Sequence, residues 1–512
     1  MPNDLVSNPT ILPRDSETHS LPYRIGVAAA ALILFLVVCH RLLETPFWNV
    51  NAARLMPSLA LAHGIDYYVM FPPGGPLYST LYGPLVAIVY LPATWFSTPN
   101  SAVLAGAAIT TLLCFSAVAL LHFAPSKPGR SSPGPLAFLT AGFLICYLEP
   151  LKYSCFNIHA DGPGLAFGAF ACAAVYAPEK WRAALPVSAL CAILAVFSKQ
   201  PFLPVPIALL AYLWLADGRP RALRYLLWLV AAGTLAGAAA LLAEGPQRLY
   251  HCLIWLPAHH PWNEPSRILS AIQAWRSFIR VSMPVPVLLL ACGVFLWTSG
   301  RFNGPALRAL ASSRAAPLLL VGIALLPFSI AGRAKTGGDV NSLSFALFFL
   351  TCGLTVLLAE ASHTAASGSA RRLALSALVA ITLSVAVSEA PLILDIPARA
   401  RQLPQSPQTI AFAYLKRHPG EAYFPWFPLS HYYAEHQFRH YGFGIADRLL
   451  AGEALSGADF RAYIPRDPRI VAFSSDGAPL VFGYDLMRYL PEYKYQVNDP
   501  ELPGWLLYSK SP

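Results

Sequence analysis

An α-helical polytopic membrane protein is the fold class the sequence predicts, and three observations point to it. Hydrophobic residues make up 56% of the 512 positions. Charged residues make up only 12%, where a soluble domain carries about 25%. The mean hydropathy is +0.49, and the apolar residues gather into long runs separated by short polar connections. Such a chain has too little charge to cover a water-facing surface. A soluble globule, a disordered chain and a disulfide-stapled secreted domain are therefore excluded. The net charge of +10 does not point to nucleic acid, because Lys and Arg sit in short clusters without a continuous basic stripe. The nine cysteines are scattered, mostly inside apolar runs, without a C-x-x-C pair or a Cys/His cluster. They read as small buried hydrophobes.

About 11 spans follow in order, near 24–42, 102–123, 135–149, 162–177, 183–198, 201–216, 225–243, 283–299, 316–331, 343–361 and 373–390. The count becomes 12 or 13 if ambiguous stretches also cross. One such stretch, 81–96, carries Pro84 and Pro92 and suits a re-entrant or interfacial segment. Basic residues occupy every second connection: Lys127 and Arg130; Lys180 and Arg182; Arg219, Arg221 and Arg224; Arg301, Arg308 and Arg314; Arg371 and Arg372. The positive-inside rule places these connections in the cytoplasm, together with the N-terminal tail 1–23. The connections 43–101, 150–161, 199–200, 244–282 and 332–342 then face outward. So does the tail 391–512, whose ordinary charge density and short strand-like runs predict a small outward α/β domain. Residues 48–62, in the first outer loop, have the spacing of a surface helix lying along the membrane.

The outward connections collect the polar chemistry. The first holds Glu44, Asn49, Asn51, Arg54 and Asp66, and the "YGP" of Tyr82, Gly83 and Pro84. The second reads "HADGP", with His159 and Asp161 at the mouth of a span. Asp161 fits either a helix cap or a functional acid. In "KQP", Lys199 either snorkels to the surface or binds phosphate, with Gln200 beside it. In "GRAKTGGDVNS", Arg333, Lys335, Asp339 and Asn341 surround a Gly-Gly turn at a helix start, which is either an ordinary tight loop or a phosphate site. The connection 244–282 contains "LPAHHPWNEP", where His259 and its neighbour line a groove better than they hold a metal, and no metal site is predicted. Carboxylates, cations and amides on one face are what transfer from a lipid-linked phosphate requires. A carboxylate takes the acceptor proton, and cations stabilise the leaving phosphate.

On "YGPL", "HADGP", "KQP" and "KTGGDVNS", together with the long first outer loop and Arg54, residues 24–390 resemble the GT-C superfamily of integral-membrane glycosyltransferases. More narrowly, they resemble its bacterial protein-mannosyltransferase and aminoarabinose-transferase group. The resemblance implies a polyprenyl-phosphate-linked sugar donor and an envelope lipid, glycan or protein acceptor. It also implies a multi-pass inner-membrane protein with a cytoplasmic N-terminus and a periplasmic C-terminal domain. Members differ in the use of a divalent metal, and nothing in these residues decides it. The family's first-loop Asp has no evident counterpart, so Glu44 and Asp66 stand beside Asp161 as candidate catalytic acids. Arg54, Tyr82, His159, Lys199, Gln200, His259, Arg333, Lys335, Asp339 and Asn341 are candidate substrate-binding residues. A flippase or transporter of lipid-linked saccharide is the alternative. It would place charges midway through spans, whereas here they crowd one rim.

Overall fold

The computed structural model describes residues 21–78, 80–124, 133–177, 181–298, 313–364, 368–475 and 479–512. The basic residues Lys127, Arg130, Lys180, Arg301 and Arg308, and most of the N-terminal tail, lie outside them. In chain order the membrane part comprises α1 (Leu21–Glu44), α2 (Asn49–Ala62), α3 (Leu85–Val89), α4 (Pro99–Phe123), α5 (Gly134–Tyr147), α6 (Glu149–Phe156), α7 (Asp161–Val175) and α8 (Ala184–Ser198). There follow α9 (Pro204–Ala216), α10 (Arg219–Glu244), α11 (Pro246–Tyr250), α12 (Leu256–His259), α13 (Arg267–Val281), α14 (Pro284–Thr298), α15 (Ala315–Ala334), α16 (Ser344–Thr364) and α17 (Gly368–Glu389).

Each predicted span coincides with one of these helices. Among the described residues six are long and apolar enough to cross a membrane, and α5 with α6, bent by 93°, makes a seventh if counted as one span. The helices α7 and α8 and the stretch Gln200–Ala216 are shorter apolar segments. Two of these short helices break off where the sequence turns polar: α7 begins at Asp161 and α8 stops before Lys199. The stretch 81–96 holds no helix long enough to cross a membrane. It folds as α3 and a 3-10 turn, Leu91–Trp95, each of five residues and far short of a span.

The outward connections meet on one side of the bundle. Asn51 Nδ2 of α2 donates to Asn157 Oδ1 at 2.8 Å, and Asn51 Oδ1 accepts from the Ile158 N–H. Gln200 donates to the carbonyls of Leu81 and Leu253. Asn263 donates to the Arg333 carbonyl.

The tail adds α18 (Pro391–Gln402), α19 (Pro407–Arg417), α20 (Pro428–Glu435), α21 (Gly442–Leu450) and α22 (Gly457–Ala462). Its strands are β1 (Ala422–Tyr423), β2 (Ile470–Phe473), β3 (Leu480–Val481), β4 (Tyr484–Asp485), β5 (Tyr495–Val497) and β6 (Leu506–Ser509). One sheet runs β1-β2-β6-β5, with β1 and β2 parallel and the other pairs antiparallel; β3 and β4 form a separate pair.

One expectation is corrected here. The stretch 48–62 is helical, as α2, but its apolar face meets protein and not lipid. Ala52, Ala53, Leu55, Met56, Leu59 and Ala60 are buried in a single core with Tyr414, Leu429, Tyr441 and Ile445 of the tail. The helix spacing was visible in the sequence; the domain that covers it was not. Outer loop and tail therefore fold as one layer, stitched by backbone bonds. The Tyr441 N–H donates to the Leu77 carbonyl, the Leu77 N–H to His440 Nδ1 at 2.8 Å, and Arg448 to the Val69 carbonyl. A Cβ on Gly444 would overlap the Leu77 carbonyl, so only glycine lets this seam close.

Candidate active site

The polar network forms where α7 begins and α8 ends. Asp161 has no exposed surface. Its Oδ1 accepts from Lys199 Nζ at 2.7 Å, and its Oδ2 accepts from Asn341 Nδ2 at 2.6 Å. His159 Nδ1 lies 2.7 Å from the same Oδ2, and Ser154 Oγ lies 3.3 Å from it. Helix dipoles favour this placement, with the carboxylate at an N-terminus and the ammonium at a C-terminus. The Tyr82 hydroxyl lies 3.1 Å from His159 Nε2. With Nδ1 protonated toward Oδ2, Nε2 accepts from the Tyr82 hydroxyl; the Asp161 N–H also points at Nδ1, at 3.2 Å. His159 sits in the connection before α7. Burial, then the charge of Arg54, pushes its pKa down to about 3, so it is neutral.

Tyr82 is placed by close backbone approach. The Gly83 N–H donates to the Ser198 carbonyl, and a Cβ on Gly83 would overlap the Phe197 carbonyl. The "YGP" segment is thus pressed against the end of α8, next to Lys199. The ammonium lies 5.0 Å from the ring centres of both Tyr82 and Phe345. Arg54 enters from α2 with its guanidinium 5.5 Å over the Tyr153 ring. Its Nη1 is enclosed and has no hydrogen-bond partner among the described residues. A water-sized cavity of about 20 Å³ touches Arg54, Tyr82, Gly83 and His159. Lys199 is paired with Asp161, whereas Arg54 makes no ion pair among the described residues; the buried Asp447 is a further carboxylate acting on Tyr82 and Tyr441.

The other candidates disperse. Glu44 accepts from Arg41, which also binds Glu389. With Asp339, Glu149, Lys152 and Tyr153 it lines an open cavity of about 300 Å³. Asp339 caps the Val340 N–H. Asp66 lies outside the network, in an exposed ion pair with Arg248 at 2.7 Å. Gln200 ties three segments together and does not enter the network. His259 Nδ1–H donates locally, to the Trp255 carbonyl at 2.8 Å. Lys335 donates to the carbonyls of Pro257 and Ala258, and Arg333 to that of Gly338, so neither reaches Asp161's partners. Among the described residues no three His, Cys, Asp or Glu side chains converge as a metal set would.

Sequence reasoning missed Tyr153, Ser154 and Ser344. Ser154 bridges Ser344 and Asp161, positions far apart in the chain. A serine or tyrosine within an apolar run carries no local signal. The charged residues were found because charge is rare there.

No protein-family model matches the chain, and no curated protein sequence matches it. Solved structures do. ArnT from Cupriavidus metallidurans bound to undecaprenyl phosphate superposes with a TM-score of 0.56 at 12% identity, over 95% of this chain and 98% of that one. The apo form of the same ArnT gives 0.56 at 14% identity, over 96% and 98%. The chain has the fold of these ArnT structures, so the resemblance carried by its loop motifs is borne out at the level of the fold.

Proposed function

We propose that the protein is a glycosyltransferase that moves a sugar from a polyprenyl-phosphate donor to an envelope lipid, glycan or protein acceptor. The single observation that carries this reading is the Arg54 guanidinium beside the Asp161–Lys199 pair, with no ion-pair partner among the described residues and one enclosed nitrogen left without an acceptor. A buried cation without a counterion is costly unless a ligand supplies the negative charge. In a fold shared with an ArnT that binds undecaprenyl phosphate, a polyprenyl phosphate is the anion that fits.

The acceptor hydroxyl oxygen bonds to the anomeric carbon. The bond from that carbon to the phosphate oxygen breaks, and its electron pair leaves with the polyprenyl phosphate. Lys199 and Arg54 stabilise that charge. Asp161 has both oxygens engaged by Lys199, Asn341 and His159, so it positions Lys199 and is not the base. Asp66 is tied up at the surface. Glu44, facing the open cavity, takes the hydroxyl proton. In this reading the outer layer is periplasmic, since the basic connections belong to the opposite side.

Titration of a polyprenyl phosphate into the purified full chain tests the site. Lys199→Met is expected to weaken binding about tenfold or more, the scale of one lost hydrogen bond between charged groups. Equal affinity in both proteins would remove Lys199, and with it this site, from the donor phosphate.

A further inference from the structure

The helix α13 presents three different faces. Ser270, Ala274 and Phe278 are buried against the protein. Ile268, Ile272, Trp275 and Ile279 form a stripe at helical spacing, and all four are exposed, at 74%, 44%, 42% and 46%. Between these faces, Arg276 and Arg280 lie one turn apart with Gln273 and Ser277. Together with Arg333 and Asn263 across from them they line an open groove of about 580 Å³. Neither Arg276 nor Arg280 has an ion-pair partner among the described residues.

An exposed isoleucine–tryptophan stripe is unstable in water and is accommodated where acyl chains begin. The arginines flank that stripe on α13, as cations beside an interfacial apolar face do, and Trp275 suits the same interface. The helix packs against α15 near Arg333, on the side of the bundle that holds the Asp161 network. A guanidinium pair one turn apart, with a third from another helix, can share the two free oxygens of a phosphodiester.

We infer that this groove is a docking site for the phosphate headgroup of an anionic membrane phospholipid, held by Arg276, Arg280 and Arg333 while its acyl chains lie on the α13 isoleucine stripe. This goes beyond sugar transfer and does not depend on it. The headgroup would anchor α13 at the interface and fix the edge of the outer layer.

Native mass spectrometry of the detergent-purified full chain, titrated in parallel with phosphatidylglycerol, phosphatidylcholine and a polyprenyl phosphate, tests it. Phosphatidylglycerol should be retained at least about tenfold better than phosphatidylcholine, the scale of one charged hydrogen bond. Arg276→Gln with Arg280→Gln should abolish that preference and leave polyprenyl phosphate retention unchanged. Equal retention of the two phospholipids, or an unchanged preference in the double variant, would overturn the inference. So would loss of polyprenyl phosphate alone, which would assign the groove to the donor. Ile272→Ser with Ile279→Ser, which keeps the charges, should weaken phosphatidylglycerol retention by removing the acyl contact. An unchanged value would contradict the proposed seating of the lipid.

Discussion

At Asp161 one carboxylate satisfies an ammonium, an amide and an imidazole, with no exposed surface of its own. Removing its charge leaves Lys199 buried without a counterion. Asp161→Asn should therefore cost about 3–5 kcal/mol of stability, the range for breaking a buried pair, as well as most turnover. Asp161→Asn combined with Lys199→Met removes both charges. It should recover most of the thermal stability and none of the turnover, since Lys199 is then absent. Thermal unfolding of the purified variants, read beside donor turnover, separates these outcomes; a double variant no more stable than Asp161→Asn would mean the two groups are not coupled. Glu44→Gln should lower turnover about 10²–10⁴-fold, the usual cost of losing a general base, with donor affinity kept. Near-normal turnover would move the base elsewhere. Of this site, Asp161, His159, Lys199, Asn341 and Tyr82 were legible as polar residues beside apolar spans. The sequence also offered Asp66, Gln200, His259 and Lys335 on the same grounds. Nothing local distinguishes a charge that faces a network from one that binds a neighbouring carbonyl.

At the scale of elements, hydropathy reads helices well because a span must be apolar along its whole length. Every predicted span is a helix, and the proline-bearing 81–96 stretch holds only two five-residue turns of helix. The run "RIVAFSS" became β2, and "TIAFAYLKRH" falls in α19 and the residue that follows it. What hydropathy could not supply was the burial of α2, because a half-apolar helix suits a membrane surface and a protein partner equally. Nor could it show that "YGP" is wedged against α8. Gly83→Ala tests that wedge. The added methyl overlaps the Phe197 carbonyl, and overpacking of this kind costs about 1–3 kcal/mol. Tyr82 should shift off Lys199, turnover should fall, and the protein should still insert. Unchanged turnover would show that Tyr82 need not be held at this spot.

Across the whole molecule, the first outer loop and the C-terminal domain share one core above the helices, and His440 joins them. Its Nδ1 accepts from the Leu77 N–H, so protonation breaks the seam. Burial pushes the His440 pKa down from 6.5 to about 4. A folded pKa below the unfolded value means the unfolded chain binds the proton first. Stability should thus fall as pH drops from about 6.5 towards 4. Thermal unfolding across this range should show the decline, and His440→Asn should flatten it; an equal slope in both proteins would contradict the seam. Function is tested most directly in the envelope itself. Cells carrying the wild-type gene should show one envelope lipid, glycan or protein heavier by a single sugar residue, by mass spectrometry. Cells carrying Lys199→Met at equal protein level should lack that mass. Identical envelope profiles from the two strains would contradict a transferase centred on the Asp161–Lys199 network.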